Sequence, residues 1–199
     1  MASTEIVYTV GWIAGVVIRG AYTSPYRKST VADDRKSVTD IVLMILSSLG
    51  LIFLPLFYLL TPWLDFANYS LPSWGGWIGG AILVVALWLL WRSHVDLGRN
   101  WTPTLQILGE HTLVTEGVFG TIRHPLYAAH LLLGAAQVLL LQNWIAGPSL
   151  LATMLPLYLY RAPREERMMF DHFGDDYRAY VCRTGRLLPS LRKPNGDRH

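Results

Sequence analysis

Cysteine and charged residues are both scarce in this chain of 199 residues. The single cysteine, Cys182, excludes a disulfide framework and a paired-cysteine metal site. Charged residues make up only 16% of the chain against 52% hydrophobic residues, and the mean hydropathy is +0.30. This composition is too apolar for a soluble domain of this size and favours an integral membrane protein. No glycine-rich dinucleotide fingerprint follows a strand-like segment, which excludes a soluble Rossmann cofactor site.

Five apolar runs approach the ~17 to 25 residues that a helix needs to cross a bilayer. We therefore predict an all-α integral membrane protein with five transmembrane helices, over residues 6–22, 41–60, 74–91, 126–142 and 145–160. The first run lacks the basic start and the cleavage pattern of a signal peptide, so we expect it to be a true span. Without repeats or long linkers, residues 1–199 are expected to form a single membrane domain.

Lysine and arginine are missing from the N-terminal tail and from the connections 61–73 and 143–144. All 17 lie at the end of span one or in the connection that follows it, between spans three and four, or after span five. By the positive-inside rule, this alternation predicts an outside N-terminus, with the C-terminus and the active site in the cytoplasm. The pI of about 9.1 follows from the same bias and from contact with anionic lipid, so we expect no nucleic-acid partner.

Polar residues concentrate in two segments, 92–127 and 160–180, which this topology brings to the same side of the membrane. The first is a long connection with apolar anchors, and we expect it to be an ordered cytoplasmic loop. In the second, Arg161 is followed by Glu165 and Glu166, which begin a predicted C-terminal amphipathic helix. Its apolar stripe is expected to contain Met168, Met169, Phe173 and Tyr177. Ionisable groups facing each other at a membrane boundary are costly and tend to be functional.

The stretch TIRHPLYAAH, residues 121–130, leads into span four. Pro125 suits the first helical turn, where its missing N–H costs nothing, and it favours an extended conformation at His124. The first-turn N–H groups and the helix dipole then indicate a site for an anionic group beside Arg123 and His124. Alternatively, Arg123 is an ordinary interfacial cation and His124 only a cap.

Three motifs, LGRNWT, HTLVTEGVFGTIRHPLY and RAPREERMMFDHFGDDYRAYVCRTGRLLP, occur in this order in the second half of the chain. They resemble the isoprenylcysteine carboxyl methyltransferase family and its prokaryotic relatives. These are S-adenosylmethionine-dependent integral membrane enzymes, related more distantly to phospholipid N-methyltransferases. The resemblance covers residues 94–189, which is the expected cofactor-binding part, and the first two spans match only in hydropathy.

The resemblance implies a set of site residues. Those expected to bind S-adenosyl-L-methionine are Gln106, His111, Thr112, Leu113, Val114, Phe119, His124, Pro125, Leu126, Tyr127 and Glu165. Arg161 is expected to hold the substrate carboxylate, and we predict that Arg123 joins it as a catalytic residue. Two departures stand out: Phe119 lacks the family's usual tyrosine hydroxyl, and Pro163 and Arg164 precede the glutamate pair in place of a longer acidic run.

The predicted activity is methyl transfer to the carboxylate of an isoprenylated cysteine or a similar lipophilic carboxylate, without a metal. A carboxylate is already anionic at neutral pH, so its methylation needs alignment and desolvation more than a base. A membrane amine or phospholipid methyltransferase is the alternative, and it would need His124 or Glu166 as a base. A small membrane transporter or assembly subunit is a third hypothesis, which the nearly charge-free spans disfavour.

Overall fold

The computed structural model describes residues 3–23, 31–35, 37–100, 106–108 and 112–190. Within these ranges the chain forms six α-helices: α1 (Ser3–Thr23), α2 (Val38–Ser48), α3 (Leu54–Leu60), α4 (Ser73–Leu97), α5 (Pro125–Leu141) and α6 (Ser149–Arg183). A π-helical turn, Leu49–Phe53, joins α2 to α3, and short 3-10 turns occupy Pro62–Ala67, Gly98–Asn100 and Gly117–Gly120. The dominant helical structure agrees with the prediction.

Two short strands, β1 (Val31–Asp34) and β2 (Gln106–Leu108), pair antiparallel, with Val31 opposite Leu108 and Asp34 opposite Gln106. The all-α prediction is therefore wrong for these residues. Each strand has at most four residues, which is too short for a period-two pattern to be read from the sequence. The pair links the connection that follows α1 to the long connection that follows α4.

In the part of the chain that the structure describes, two helical stretches are long and apolar enough to cross a membrane, Val38–Leu60 and Ser73–Leu97. The first combines α2, the π-helical turn and α3 in one continuous rod. Helix α5 is also apolar, but it has only 17 residues. Many large apolar side chains on these helices are exposed, including Val84 at 67% and Leu60 at 77%. An exposed apolar helix surface of this kind suits contact with lipid.

The last helix differs from the prediction at both ends. It begins at Ser149 rather than at residue 145, because Asn143 organises the connection before it. Asn143 Oδ1 accepts hydrogen bonds from the backbone N–H groups of Ile145 and Ala146, and its Nδ2 donates to the carbonyl of Leu64. Helix α6 then continues to Arg183, so the predicted amphipathic helix is its continuation and not a separate element. The kink lies at Gly174, whose φ is +53°.

Pro55 determines how the rod meets α1. A proline has no N–H to donate to the carbonyl four residues earlier, which here belongs to Leu51. The indole Nε1 of Trp12 donates to that carbonyl instead, at 3.0 Å. The neighbouring carbonyl of Gly50 accepts from the Gln137 side-chain amide at 3.3 Å and from Ser149 Oγ at 2.9 Å. The irregular turn is thus tied to α1, α5 and α6 by side-chain donors.

Candidate active site

A cavity of about 570 Å³ is lined by residues of α1, α2, α4, α5 and α6 and by the segment before α5. Along α5 its lining runs from His124 to Gln137, a distance of about 20 Å at 1.5 Å per residue. Charged and aromatic side chains line the part near the start of α5. The rest is largely apolar and includes Trp12, Leu51, Leu133 and Leu150. One cavity therefore offers a polar compartment and an apolar compartment.

Most of the predicted site residues line this cavity. They are Thr112, Leu113, Val114, Phe119, Arg123, His124, Pro125, Leu126, Tyr127, Arg161 and Glu165. Gln106 lies in strand β2, and His111 lies outside the described residues. Residues that are up to 53 positions apart in the chain are thus brought to a common space, although their predicted roles stay predictions.

Glu165 is the centre of the polar compartment. Its Oε1 accepts hydrogen bonds from Arg161 Nε at 2.8 Å and from the Tyr127 hydroxyl at 2.9 Å. Its Oε2 lies 3.6 Å from His124 Nδ1. The i, i+4 spacing on α6 places Arg161 and Glu165 on one face, and that face meets the first turn of α5. Glu165 keeps 24% of its side chain exposed, whereas Arg161 keeps only 8%.

Glu166, the next residue, faces a different set of partners. Its Oε1 accepts from Arg123 Nε and Arg186 Nε, both at 3.1 Å, and lies 3.2 Å from His124 Nε2. Arg186 also bonds the other carboxylate oxygen. Burial alone would raise the pKa of Glu166, but the hydrogen bonds and positive charges of these partners lower it to about 2. A carboxylate with such a low pKa is a poor proton acceptor, so Glu166 does not suit the role of base that amine methylation would require.

The guanidinium of Arg123 binds the end of α6 and the residue that follows it. Its Nη1 donates to the carbonyls of Val181, at 3.2 Å, and Thr184. The backbone before α5 also pairs with Gly185 and Arg186, because the N–H of Arg123 donates to the Gly185 carbonyl at 2.8 Å and that of His124 to the Arg186 carbonyl at 3.0 Å. These contacts give Arg123 a structural part in holding the segment after α6 against the start of α5. Its predicted catalytic role stays a prediction.

His124 does not adopt the extended conformation expected before a proline. Its φ is −123° and its ψ is 58°. The reason lies in its partners: its backbone N–H donates to the Arg186 carbonyl at 3.0 Å, and its ring reaches Glu166. Its side chain makes no hydrogen bond that caps α5. His124 is the N-cap residue of α5, and its ring lies between Glu165 and Glu166.

The segment before α5 is held by polar contacts with the end of α4. Asp96 Oδ2 accepts from the N–H of Val118 at 2.9 Å, and Asn100 Oδ1 accepts from the N–H of Thr112 at 2.9 Å. Gly117 has a φ of +59°, and a Cβ there would lie 2.2 Å from Asp96 Oδ2. A side chain at position 117 is thus excluded by both backbone and space. These contacts hold Leu113, Val114 and Phe119 at the cavity wall.

Two residues that shape the site were missed by sequence reasoning, Glu166 as an anchor and Arg186 as its partner. Nothing in the local pattern indicates that Arg186 returns to a carboxylate 20 positions earlier. The only available signal was the adjacency of two glutamates in a segment that is otherwise rich in cations. Adjacent helical positions point about 100° apart, which is why Glu165 and Glu166 face different sets of partners.

Comparison with known proteins shows sequence similarity to one family of methyltransferases. Residues 78–171 match the model of the isoprenylcysteine carboxyl methyltransferase family. The human protein-S-isoprenylcysteine O-methyltransferase is 28% identical over 142 residues, and the mouse protein is 32% identical over 142 residues; each match covers 67% of this chain and 50% of the relative. Protein-S-isoprenylcysteine O-methyltransferase B of Arabidopsis thaliana is 28% identical over 118 residues, 58% of this chain and 60% of the relative.

The chain thus spans about half to three fifths of the length of these relatives. A solved structure is similar over 96% of this chain and 69% of the other, with a TM-score of 0.55 and 20% identity. It is the structure of the eukaryotic intramembrane Ras methyltransferase, isoprenylcysteine carboxyl methyltransferase, without a monobody. At this identity the similarity concerns the fold. The predicted resemblance to the isoprenylcysteine carboxyl methyltransferase family is confirmed by these sequence matches.

Proposed function

We propose that this protein is a membrane methyltransferase that uses S-adenosyl-L-methionine and methylates the carboxylate of an isoprenylated cysteine or a similar lipophilic carboxylate. The observation that carries the proposal is that one continuous cavity joins the Glu165 cluster to a long apolar compartment. A water-soluble cofactor suits the polar part, and a lipid chain suits the apolar part. The family match supports the same reaction class.

The residues of the polar compartment fit the chemical groups of the cofactor. The carboxylate of Glu165 suits an ammonium group, and the apolar side chains of Leu113, Val114 and Phe119 suit an adenine ring. Tyr127 and Arg161 hold Glu165 from two sides, so its carboxylate is oriented before any ligand arrives. When bound, S-adenosyl-L-methionine supplies an electrophilic methyl group on a sulfonium.

The chain's own part in the reaction is alignment and exclusion of water. An acceptor carboxylate is anionic at neutral pH, so no side chain has to remove a proton from it. We assign to Arg161 the role of holding that carboxylate, and its position in the cavity lining, beside Met44 and Glu165, supports this role. Removal of water strengthens each of these electrostatic contacts. The low pKa of Glu166 argues against Glu166 as the base that the amine alternative would require.

We propose further that five helical segments cross the membrane, with the N-terminus outside and the C-terminus in the cytoplasm. Exposed aromatic side chains support this arrangement, since Trp63, Phe66, Trp77 and Trp144 are 69% to 81% exposed and all lie near the outer ends of the proposed spans. Such aromatics are typical of the interface between membrane and water. The polar compartment at the opposite end would then open toward the cytoplasm, where the cofactor is found.

Calorimetric binding of S-adenosylhomocysteine to the detergent-purified protein tests the cofactor assignment. We expect the wild type to bind and Glu165→Gln to lose at least tenfold in affinity, since the replacement removes the charge and keeps the shape. Glu116→Gln is the matched control, because Glu116 is exposed and does not line the cavity. A folded wild-type protein that does not bind would contradict the proposal, and equal binding by Glu165→Gln would remove Glu165 from the site.

A further inference from the structure

The apolar compartment ends at a hydrogen-bonded pair of buried side chains, Tyr8 of α1 and Gln137 of α5. Both residues line the cavity, and the Tyr8 hydroxyl donates to Gln137 Oε1 at 2.9 Å. Among the residues that the structure describes, the cavity lining extends no further along α5 than Gln137 and no nearer to the start of α1 than Tyr8. We call this pair the floor of the apolar compartment.

Packed core lies behind the floor. The buried cluster that contains Tyr8 continues there with Tyr58, Leu140, Leu141 and Ala146, none of which is more than 8% exposed. Helix α4 approaches α5 closely at this level, since a Cβ on Gly79 would lie 2.9 Å from Leu140 Cγ. A close-packed interior has no room for further methylene groups. A lipid chain that reaches the floor therefore cannot continue in the same direction.

Further hydrogen bonds hold the floor in place. Gln137 Nε2 donates to the carbonyl of Ala146 at 2.6 Å and to Ser149 Oγ at 2.9 Å. It also donates to the carbonyl of Gly50 in the π-helical turn, at 3.3 Å. Displacement of this amide would leave several buried polar groups unpaired, which costs more than the rotation of an apolar side chain. The floor is therefore expected to resist a chain that presses against it.

The depth of the apolar compartment corresponds to the length of a short isoprenoid. Tyr127 and Gln137 both line the cavity and lie ten positions apart on α5, which is about 15 Å at 1.5 Å per residue. On α6, Arg161 and Leu150 lie eleven positions apart and give a similar depth. An extended chain advances about 1.1 Å per main-chain bond, so an isoprene unit of four such bonds spans about 4.5 Å. Three units then fit within the depth, and a fourth reaches the floor.

We propose that Tyr8 and Gln137 set the longest lipid chain that the methyl acceptor can carry, at about three isoprene units. This inference rests on the proposed function and narrows the acceptor by size. Neither residue takes part in the chemistry, because both lie at the end of the cavity away from the Glu165 cluster. Their task is to select among lipophilic carboxylates by length. Tyr8 has the larger side chain, so its replacement should lengthen the compartment most.

The test measures the binding of three ligands that differ only in chain length, the N-acetyl-S-geranyl, N-acetyl-S-farnesyl and N-acetyl-S-geranylgeranyl derivatives of cysteine. They carry two, three and four isoprene units. Calorimetry at one detergent concentration gives each affinity relative to wild type, so that partition of the ligand into micelles cancels. In Tyr8→Leu the four-unit ligand should bind at least about tenfold more tightly than in wild type, because the space of the lost ring buries more of its chain. The two-unit ligand should change less than about twofold.

Tyr69→Leu is the matched control for this substitution. The Tyr69 hydroxyl also donates a hydrogen bond to α5, at 2.5 Å to the Val138 carbonyl, but Tyr69 does not line the cavity. It should leave the relative affinities of the three ligands unchanged.

A substitution that raises the floor gives the opposite expectation and does not depend on the folding of Tyr8→Leu. Leu133 lines the cavity one helical turn before Gln137, on the same face of α5. Leu133→Trp should weaken the three-unit and four-unit ligands at least about tenfold and the two-unit ligand less than about threefold. The matched control is Leu132→Trp, because Leu132 is half-buried like Leu133 but does not line the cavity.

Two results would overturn the proposal. If Tyr8→Leu changes all three ligands equally, or none, the chain does not reach the floor. If Leu133→Trp weakens all three ligands equally, length is not what the cavity measures. Binding of S-adenosylhomocysteine to the same samples separates these results from failure of the proposed function. A protein that binds S-adenosylhomocysteine but none of the three ligands would refute the proposed acceptor, whereas length-dependent binding without S-adenosylhomocysteine binding would refute only the cofactor.

Discussion

Glu166 Oε1 lies 3.2 Å from His124 Nε2, and the same buried carboxylate is bonded to Arg123 and Arg186. Its neighbour Glu165 faces the cavity and is bonded to Arg161 and Tyr127. Two adjacent glutamates therefore have different tasks, one at the cavity surface and one as an anchor for the C-terminal segment. His124 lies between them, so the anchor also restricts the imidazole at the cavity wall.

Replacement of the anchor, Glu166→Gln, is expected to destabilise the protein in a pH-dependent way. The folded-state pKa of Glu166 is about 2, below its ordinary 4.5, so the ionised group stabilises the fold above pH 4.5. That contribution is lost as the pH falls from about 4.5 toward 2. At pH 7 we expect a loss of about 2–3 kcal/mol, as for hydrogen bonds to charged groups. Thermal unfolding of the wild type and of Glu166→Gln in detergent, at several pH values from 7 to 3, measures this loss of stability.

The difference in Tm between wild type and Glu166→Gln should be constant above about pH 5 and shrink below pH 4.5. Asp175→Asn is the matched control, since Asp175 is 92% exposed and pairs only with Arg178 among its described ion pairs. Its effect at pH 7 should be small, as expected for an exposed pair. A Tm difference for Glu166→Gln that is the same at pH 3 and pH 7 would contradict the assigned role of the carboxylate.

Two glycine-to-alanine substitutions are expected to have opposite signs. In the π-helical turn, a Cβ on Gly50 would lie 2.5 Å from the Ser149 carbonyl oxygen and 2.3 Å from Thr153 Oγ1. Backbone cannot move aside cheaply, so Gly50→Ala should cost about 1–3 kcal/mol or more. Gly20 in α1 has no such neighbour within 4 Å, and Gly20→Ala should stabilise by up to about 1 kcal/mol through helix propensity.

Thermal unfolding in one detergent measures both glycine variants. A Tm for Gly50→Ala equal to that of wild type would mean that α6 does not approach the π-helical turn as closely as described. The comparison with Gly20→Ala matters because both substitutions add the same methyl group within a helical segment. Only the local packing then accounts for a difference in sign.

Hydropathy predicted most of the helices but could not locate the start of α6. Four of the five apolar runs coincide with helical stretches. A long apolar segment in a membrane must satisfy its backbone hydrogen bonds internally, and a helix does so. The last run began too early in the prediction, since Asn143 bonds the connection before α6 to Leu64 and Asn68, far away in sequence. A contact between residues far apart in sequence leaves no periodic pattern of apolar residues from which it could be predicted. The strand pair was missed for a similar reason, because it joins two short segments more than 70 residues apart.

The candidate site was predictable to the extent that it is local. The stretch from Thr112 to Tyr127 and the pair Arg161 and Glu165 carry motif spacing, and all of these predicted residues line the cavity. The contact of Arg19 with His130 joins residues 111 positions apart, and that of Glu166 with Arg186 crosses a helix end. Contacts of this kind are set by how helices pack, which a single sequence does not specify.

The proposed topology can be tested with the protein's single cysteine. Cys182 is exposed near the end of α6, beyond the proposed last span, and should face the cytoplasm. In sealed vesicles of known sidedness, a membrane-impermeant maleimide should therefore modify it only when the cytoplasmic face is outward. The variant Cys182→Ser with Ser70→Cys moves the thiol to the exposed connection before α4, and its labelling should be the reverse.

Labelling of both proteins from the same side would refute an odd number of spans between positions 70 and 182, because an odd number must put the two positions on opposite faces. Reversal of both patterns would keep an odd number of spans between these positions and invert the orientation, placing the polar compartment away from the cytoplasmic supply of cofactor. Labelling after solubilisation in detergent gives the total thiol for each protein, so that a buried cysteine is not mistaken for a protected one.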